Sequence, residues 1–286
     1  MGGNAVDGVS PINQENSMAT IKALYQELLP SLGLSESDVA SLGSTGKKAP
    51  KTQSGDIDIA IPASKMMQFQ NVETRSESMD KIVDAIKSKG YAFRDMRNID
   101  ISSVGFPIVN VDGLQSGQTV QVDLMIVDSV EYAAWSFYSP SYLESKLKGL
   151  YRNEINFAVA KYAGLHVTKT DRETNVPTEW NRLWFNLSKG LEKGTQTVIS
   201  AKTGKITKTP RVISKSVVTN DADEVVAKLY GYKYKANDIL TFEDAYAAIM
   251  DADFPYAKYI KDIIKDTANG ILSKGYPVPE YLQYEK

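Results

Sequence analysis

Two aspartates one residue apart in an apolar run are the side chains of this sequence best placed for chemistry. In Ser54-Gly55-Asp56-Ile57-Asp58-Ile59-Ala60-Ile61 the alternation predicts a strand, with Asp56 and Asp58 projecting from one face and Ile57, Ile59 and Ile61 from the other. Two carboxylates held side by side repel each other. A hard divalent cation with oxygen ligands relieves that repulsion, and Mg²⁺ held by a few carboxylates plus substrate phosphates is the usual arrangement. Shortly upstream lies Leu42-Gly43-Ser44-Thr45-Gly46-Lys47-Lys48. Gly43 lets backbone amides approach phosphate oxygens, Ser44 adds a hydroxyl donor, and Lys47 and Lys48 add compact positive charge. The pair of segments is suited to metal-assisted chemistry on a phosphate group. Gly-Asp-Ile-Asp alone would also suit a turn entering an edge strand with surface aspartates, and the lysines a solvated loop.

The two segments together resemble the signature of the DNA polymerase β-like nucleotidyltransferase superfamily, a Gly-Ser pair, a basic turn, then hydrophobic-Asp-hydrophobic-Asp-hydrophobic. The resemblance implies a third carboxylate on a later strand. Thr119-Val120-Gln121-Val122-Asp123-Leu124-Met125-Ile126-Val127 supplies it. Val120, Val122, Leu124 and Ile126 share one face there, and Asp123 interrupts the other beside Gln121 and Met125. By the same resemblance Asp56, Asp58 and Asp123 bind Mg²⁺, or Mn²⁺, and are the catalytic residues, with Asp123 also a proton acceptor. Gly43, Ser44, Lys47 and Lys48 receive the triphosphate of an NTP or dNTP. The reaction implied is transfer of an NMP to an acceptor hydroxyl with release of pyrophosphate.

Phe137-Tyr138-Ser139-Pro140-Ser141, followed by Lys146, Lys148 and Arg152, is similar to the segment of polymerase X enzymes that contacts the incoming sugar and base. Tyr138 and Ser139 are therefore candidate nucleotide contacts. The competing reading is two aromatics packing a strand-to-helix corner. Three departures stand out. Pro140 replaces a glycine, Lys47 and Lys48 replace two arginines, and the turn from Gly43 to Asp56 is longer than the polymerase version.

The elements that must position these residues are legible in outline. Residues 1–16 are polar and rich in Gly and Asn, and read as an irregular N-terminal arm. Ile21, Leu24, Leu28 and Leu29 recur at helical spacing up to Pro30, and residues 38–42 form a strand leading into the Gly43 turn. Met79, Ile82, Val83 and Ile86 mark a helix ending near Gly90, and residues 91–96, 101–109 and 119–127 are strand candidates. The expected fold class is α+β: a polymerase β palm-like mixed sheet with helices on one face over residues 17–135. Residues 136–286 are expected to form a mainly helical domain with one β-hairpin turning at Thr203-Gly204. Two helical stretches are expected between 142 and 164, and others at 221–229, 241–250 and 256–273. His166, in a short strand, fits a structural or exposed histidine better than an acid/base role.

Composition bounds the partners. The net charge is −2, from 33 basic and 35 acidic residues, so any polyanion site must be local. The most basic stretch, residues 193–217 with its Lys202–Lys215 segment, suits a phosphate backbone or a plain solvated ribbon. There is no cysteine and one histidine, which excludes disulfides, thiolate metal sites and a zinc cluster built on several histidines. No apolar run approaches a membrane span, so a soluble, cytoplasmic protein is expected. The chain also bears a weak resemblance to phage-encoded nucleotidyltransferase-like proteins, which would place it in a host cytoplasm or a virion. The preferred function is an untemplated nucleotidyltransferase acting on RNA or tRNA, a protein or a small molecule. The alternatives are a minimal X-family-like DNA polymerase and a nucleotide-binding or structural protein that kept the fold without turnover. The sequence leaves oligomeric state open.

Overall fold

A computed structural model describes residues 5–49 and 51–283. Residues 1–4 of the expected arm and 284–286 of the expected second domain lie outside the described residues. The chain divides into two units, residues 1–148 and 149–286. The division falls later than residue 135 because the segment after it bonds back to the first unit: Gly43 N–H donates to the Phe137 carbonyl at 3.3 Å, and Tyr142 N–H to the Lys47 carbonyl at 3.1 Å.

In the first unit, strands β1 (Ile12–Asn13), β2 (Ala40–Leu42), β3 (Gln53–Ser54), β4 (Asp56–Pro62), β5 (Phe93–Met96), β6 (Ile101–Val109) and β7 (Gln115–Val127) accompany helices α1 (Gln14–Leu28), α2 (Ala63–Gln70), α3 (Arg75–Ser88) and α4 (Val130–Ser136). Five strands make a mixed sheet in the order β2-β4-β7-β6-β5, in which only β4 and β7 run parallel. One sheet face carries Ile57, Ile59, Ile61, Val104, Phe106, Val120, Val122 and Leu124, buried with Leu24 and Leu28 of α1 and Met79, Ile82 and Ile86 of α3. Each such side chain contributes about 1.5–3 kcal/mol when removed from water. That packing turns the opposite face, with its aspartates, away from the core. Helix α3 starts where Thr74 accepts from Glu77 N–H and Glu77 answers at the Thr74 amide, a full capping box.

The N-terminal arm is shorter and more ordered than expected. Ile12–Asn13 pairs with Gln53–Ser54, and helix α1 begins at Gln14. Glycine and asparagine content masked the buried Val6 and Ile12, which anchor this stretch.

The second unit contains α5 (Gly149–Ala163), α6 (Ala222–Tyr230), α7 (Phe242–Ile249), α8 (Ile260–Ser273) and strands β8 (His166–Thr170), β9 (Pro177–Asn186), β10 (Gly190–Ile199) and β11 (Ile206–Thr219). The expected hairpin is present at the β10–β11 turn, where Gly204 takes a φ of +68°. It belongs to a four-stranded antiparallel sheet ordered β11-β10-β9-β8, so this unit holds more strand than its sequence advertises. The two helical stretches expected between 142 and 164 reduce to α5 alone. Glu144 accepts from the Ser141 amide at 2.7 Å, and Leu143 is 80% exposed, so residues 141–148 turn instead of coiling against a core. Among the described residues no helix is long and apolar enough to cross a membrane.

Candidate active site

Parallel pairing of β4 with β7 sets the register that builds the site. Asp58 lies opposite Asp123 and Asp56 opposite Gln121. Side chains two apart on a strand share a face, so Asp56, Asp58 and Asp123 converge. One carboxylate oxygen from each lies within 4.8 Å of the others, the only such acidic, histidine or cysteine group among the described residues.

This convergence strains the anions. Burial first, and then the neighbouring Asp56 and Asp123 charges, push the Asp58 carboxyl up to about 7. Burial also raises Asp123, against the lowering effect of two donors: Ser103 Oγ at 2.6 Å and Gln121 Nε2 at 2.8 Å, both on Oδ1. An all-oxygen donor set under mutual repulsion fits a hard divalent cation such as Mg²⁺ or Mn²⁺, and offers nothing to a metal that prefers sulfur or several imidazoles.

Gly43 closes the turn against this cluster. Its φ is +68°, and a Cβ there would stand 2.9 Å from Asp58 Oδ2. Its own amide is engaged by the Phe137 carbonyl. The requirement for glycine is therefore close approach to the Asp58 carboxylate, a different reason from the amide–phosphate approach its sequence context suggested. Thr45 Oγ1 donates to the Asp56 carbonyl at 2.8 Å, tying the turn to the first acidic residue. Gln14 Oε1 accepts from Gly46 N–H at 2.7 Å and from Lys48 N–H at 3.4 Å.

Beyond the turn lies a hollow of about 160 Å³ whose lining includes Ser44, Lys47, Lys48 and Ser139 together with Lys146 and Lys148. Four of the predicted nucleotide residues thus meet there. Lys146 and Lys148, not singled out from sequence as site residues, join them because the turn at 141–148 folds back; the basic residues after Pro140 were the available signal. Burial lowers the affinity of Lys47 and Lys48 for their protons, and for Lys48 the Lys148 charge adds to that. Crowded, half-buried ammonium groups favour an anion between them.

Tyr138 lies beneath Lys47, whose Nζ stands 4.4 Å from the ring centroid, and its hydroxyl donates to Glu144 at 3.0 Å. Phe137 packs against the small cluster of Leu42, Ala60, Met125, Val127 and Ala133. The aromatic pair is thus split, Phe137 serving the corner and Tyr138 supporting a lysine of the hollow. His166 lies exposed on β8, and the Lys202–Lys215 segment runs through the β10–β11 hairpin, both in the second unit.

No protein-family model matches the chain, and no curated protein does. Among solved structures it is similar to Leishmania infantum polymerase beta. In a ternary gap complex of that protein the identity is 16% over 55% of this chain and 48% of the other, with a TM-score of 0.36. In a ternary P/T complex it is 15% over 68% and 61%, with a TM-score of 0.38. The chain spans less than two thirds of the length of those polymerase chains.

Proposed function

We propose that this protein is a metal-dependent nucleotidyltransferase, moving an NMP from an NTP or dNTP to an acceptor hydroxyl with release of pyrophosphate. The observation that carries the reading is the acidic cluster of Asp56, Asp58 and Asp123, closely approached by Gly43, with a lysine-lined hollow beginning at Ser44, the next residue. Carboxylates alone would repel a triphosphate, and lysines alone would only bind one. Together they favour charge redistribution at a phosphorus between them.

Asp56, Asp58 and Asp123 would hold Mg²⁺ or Mn²⁺, which when bound supplies a more acidic attacking hydroxyl and neutralises charge on the phosphates. Asp123, raised by burial, suits uptake of the proton from the attacking hydroxyl. The new oxygen–phosphorus bond forms at the α-phosphorus as the bond to the β-phosphate bridging oxygen breaks. Lys47 and Lys48, with Lys146 and Lys148, receive the pyrophosphate charge, and Ser44 and Ser139 offer hydroxyl donors.

The acceptor in this reading is a nucleic acid. Residues 193–220 contain six basic residues, Lys193, Lys202, Lys205, Lys208, Arg211 and Lys215, and no Asp or Glu. Every residue of β11 before Thr219 is exposed. Such a ribbon offers a phosphate backbone a sequence-tolerant track.

The test is incubation of the protein with Mg²⁺ or Mn²⁺, each α-labelled NTP and dNTP, and a panel of tRNA, single-stranded DNA, gapped duplex and total cell protein, beside an Asp56→Asn/Asp58→Asn double variant. Label on one of the nucleic acids with the intact protein only is the expected result and identifies reaction and acceptor together; label on protein instead would overturn the choice of acceptor. Equal labelling by the double variant, or no labelling and no metal-dependent nucleotide binding, would overturn the proposal.

A further inference from the structure

Residues 5–14 bond to Gln121, which stands beside Asp123, and to the segment between Gly43 and Asp56. Gln121, 3% exposed, sits beside Asp123 on the aspartate face of β7. Its Nε2 donates to Asp123 Oδ1 at 2.8 Å, while its Oε1 accepts from the Ala5 amide at 2.7 Å and the Val6 amide at 3.4 Å. A glutamine amide can be turned either way, and the two backbone N–H groups decide which. They require the oxygen, so the nitrogen must face the carboxylate. With the amide reversed, donor would meet donor at the backbone and acceptor would meet anion at Asp123.

The segment is itself anchored. Ser10 N–H donates to the Thr119 carbonyl at 2.7 Å, and Thr119 Oγ1 donates to the Gly8 carbonyl at 3.3 Å. Gly105, paired with Gln121 across β6 and β7, leaves room on the same face for Val6 and Val9, whose Cγ1 atoms both come within 3.5 Å of the position a Cβ would take. Further along, β1 pairs with β3 immediately before Asp56, and Gln14 bridges the Gly46 amide and Ser54 Oγ.

We propose that residues 5–14 are a strap that presets the acidic cluster for metal, and that Gln121 is the positioning residue through which the strap fixes the rotation of the Asp123 carboxylate. The proposal rests on the reading of Asp56, Asp58 and Asp123 as metal ligands. Outer hydrogen-bond partners of this kind typically tune metal affinity 10- to 100-fold. A segment that merely packs would affect stability and leave metal affinity alone.

The experiment is a double-mutant cycle read by Mn²⁺ binding, from the loss of the free-ion electron paramagnetic resonance signal, with thermal melting of the metal-free protein as control. Gln121→Met keeps the length of the side chain and removes both its donor and its acceptor. Val6→Asp/Val9→Asp releases the strap while keeping Gln121. Gln121→Met is expected to weaken Mn²⁺ binding by about 10-fold or more without a matching fall in melting temperature. Strap release is expected to weaken it less, and to add nothing once Gln121 is methionine, because both act through one contact. Mn²⁺ affinity within about twofold of the parent in Gln121→Met, or independent effects of the two changes, would overturn the strap while leaving the acidic site standing. A parent protein that binds no Mn²⁺ would overturn both.

Discussion

The two sheets of this protein treat charge in opposite ways. On the β4–β7 face three carboxylates are drawn within 4.8 Å of one another, half-buried, and two of them, Asp58 and Asp123, are raised toward protonation. Along β11 basic residues are strung out on an exposed edge strand, with Arg211 donating to the Ile199 carbonyl and Lys215 paired with Glu192. Concentrated like charge is unstable until a counter-charge arrives, so it specifies a ligand. Dispersed, solvated charge is stable as it stands and selects only for a polyanion in general. The first arrangement is suited to chemistry at a point and the second to holding a long substrate.

Removing one carboxylate is the strongest way to break the contrast. Asp58→Asn is expected to lower nucleotidyl transfer by about 10³-fold or more, measured as pyrophosphate release, because it removes a group aimed at the reacting charge. The same change should stabilise the metal-free protein above neutral pH. Asp58 has a folded pKa of about 7 against an ordinary value of 3.8, so the folded state binds the proton more tightly than the unfolded one. Its favourable contribution is therefore complete below about pH 4 and lost as pH rises through 7. Melting temperature of the metal-free parent should fall across that window, Asp58→Asn should flatten the fall, and saturating Mg²⁺ should abolish it. A parent whose metal-free stability is level from pH 4 to 8 would show that the acidic face carries no strain.

A smaller effect is expected at Gly43. An alanine there keeps every charge but places a Cβ at φ +68° and 2.9 Å from Asp58 Oδ2. The backbone strain is of the order of 1–3 kcal/mol, and Asp58 must shift. Turnover should drop by about 10- to 100-fold with Mn²⁺ affinity reduced, whereas Gly46→Ala, at φ +79° with nothing within 4 Å, should affect stability alone. Equal loss of metal affinity in both variants would remove the close-approach argument.

Smaller again is the expected effect on the hollow. Lys148→Ala should raise the KM for nucleotide by about 10-fold, the scale of one charge-assisted hydrogen bond, and leave Mn²⁺ binding in the absence of nucleotide unchanged. An unchanged KM would separate the hollow from the triphosphate.

The same contrast explains what was legible in the sequence. The acidic face could be read because a strand's two-residue period is local: Asp56 and Asp58 announce a shared face, and Asp123 stands out in an apolar run. Helices α3 and α7 were legible for a similar reason, α3 from the helical spacing of Met79, Ile82, Val83 and Ile86 and α7 from Thr241 and Asp244 at capping-box positions, while the Thr74/Glu77 box of α3 went unread. What stayed hidden depends on contacts far apart in sequence. Nothing in Asn4-Ala5-Val6-Asp7-Gly8 indicates that two of its amides orient Gln121, and the basic residues after Pro140 signal charge without indicating that residues 141–148 fold back to the Gly43 turn. The β8–β11 sheet was read as one hairpin because β9 and β10 mix Trp, Asn, Arg, Lys and Gly without clean alternation, and bulges between 191 and 199 interrupt the period of two.

The ribbon should show the smallest effect per residue, and its form separates the two kinds of charge most sharply. Lys205 and Lys208 are exposed, so each should hold a nucleic-acid acceptor only through displaced counterions. Each alanine substitution should reduce the magnitude of the slope of log affinity against log salt by about 0.7–0.9, the value for one phosphate contact on single-stranded or duplex nucleic acid. The loss at fixed salt should be similar for every acceptor sequence, since no base contact is removed. Affinity for the nucleotide and for Mn²⁺ should stay unchanged, because those depend on the β4–β7 face. A substitution at Lys205 that changes acceptor preference and leaves the salt slope intact would mean that the ribbon reads shape or bases. One that changes neither slope nor affinity would leave the acceptor to be held elsewhere, and the β11 charges would serve only to keep a long exposed edge strand soluble.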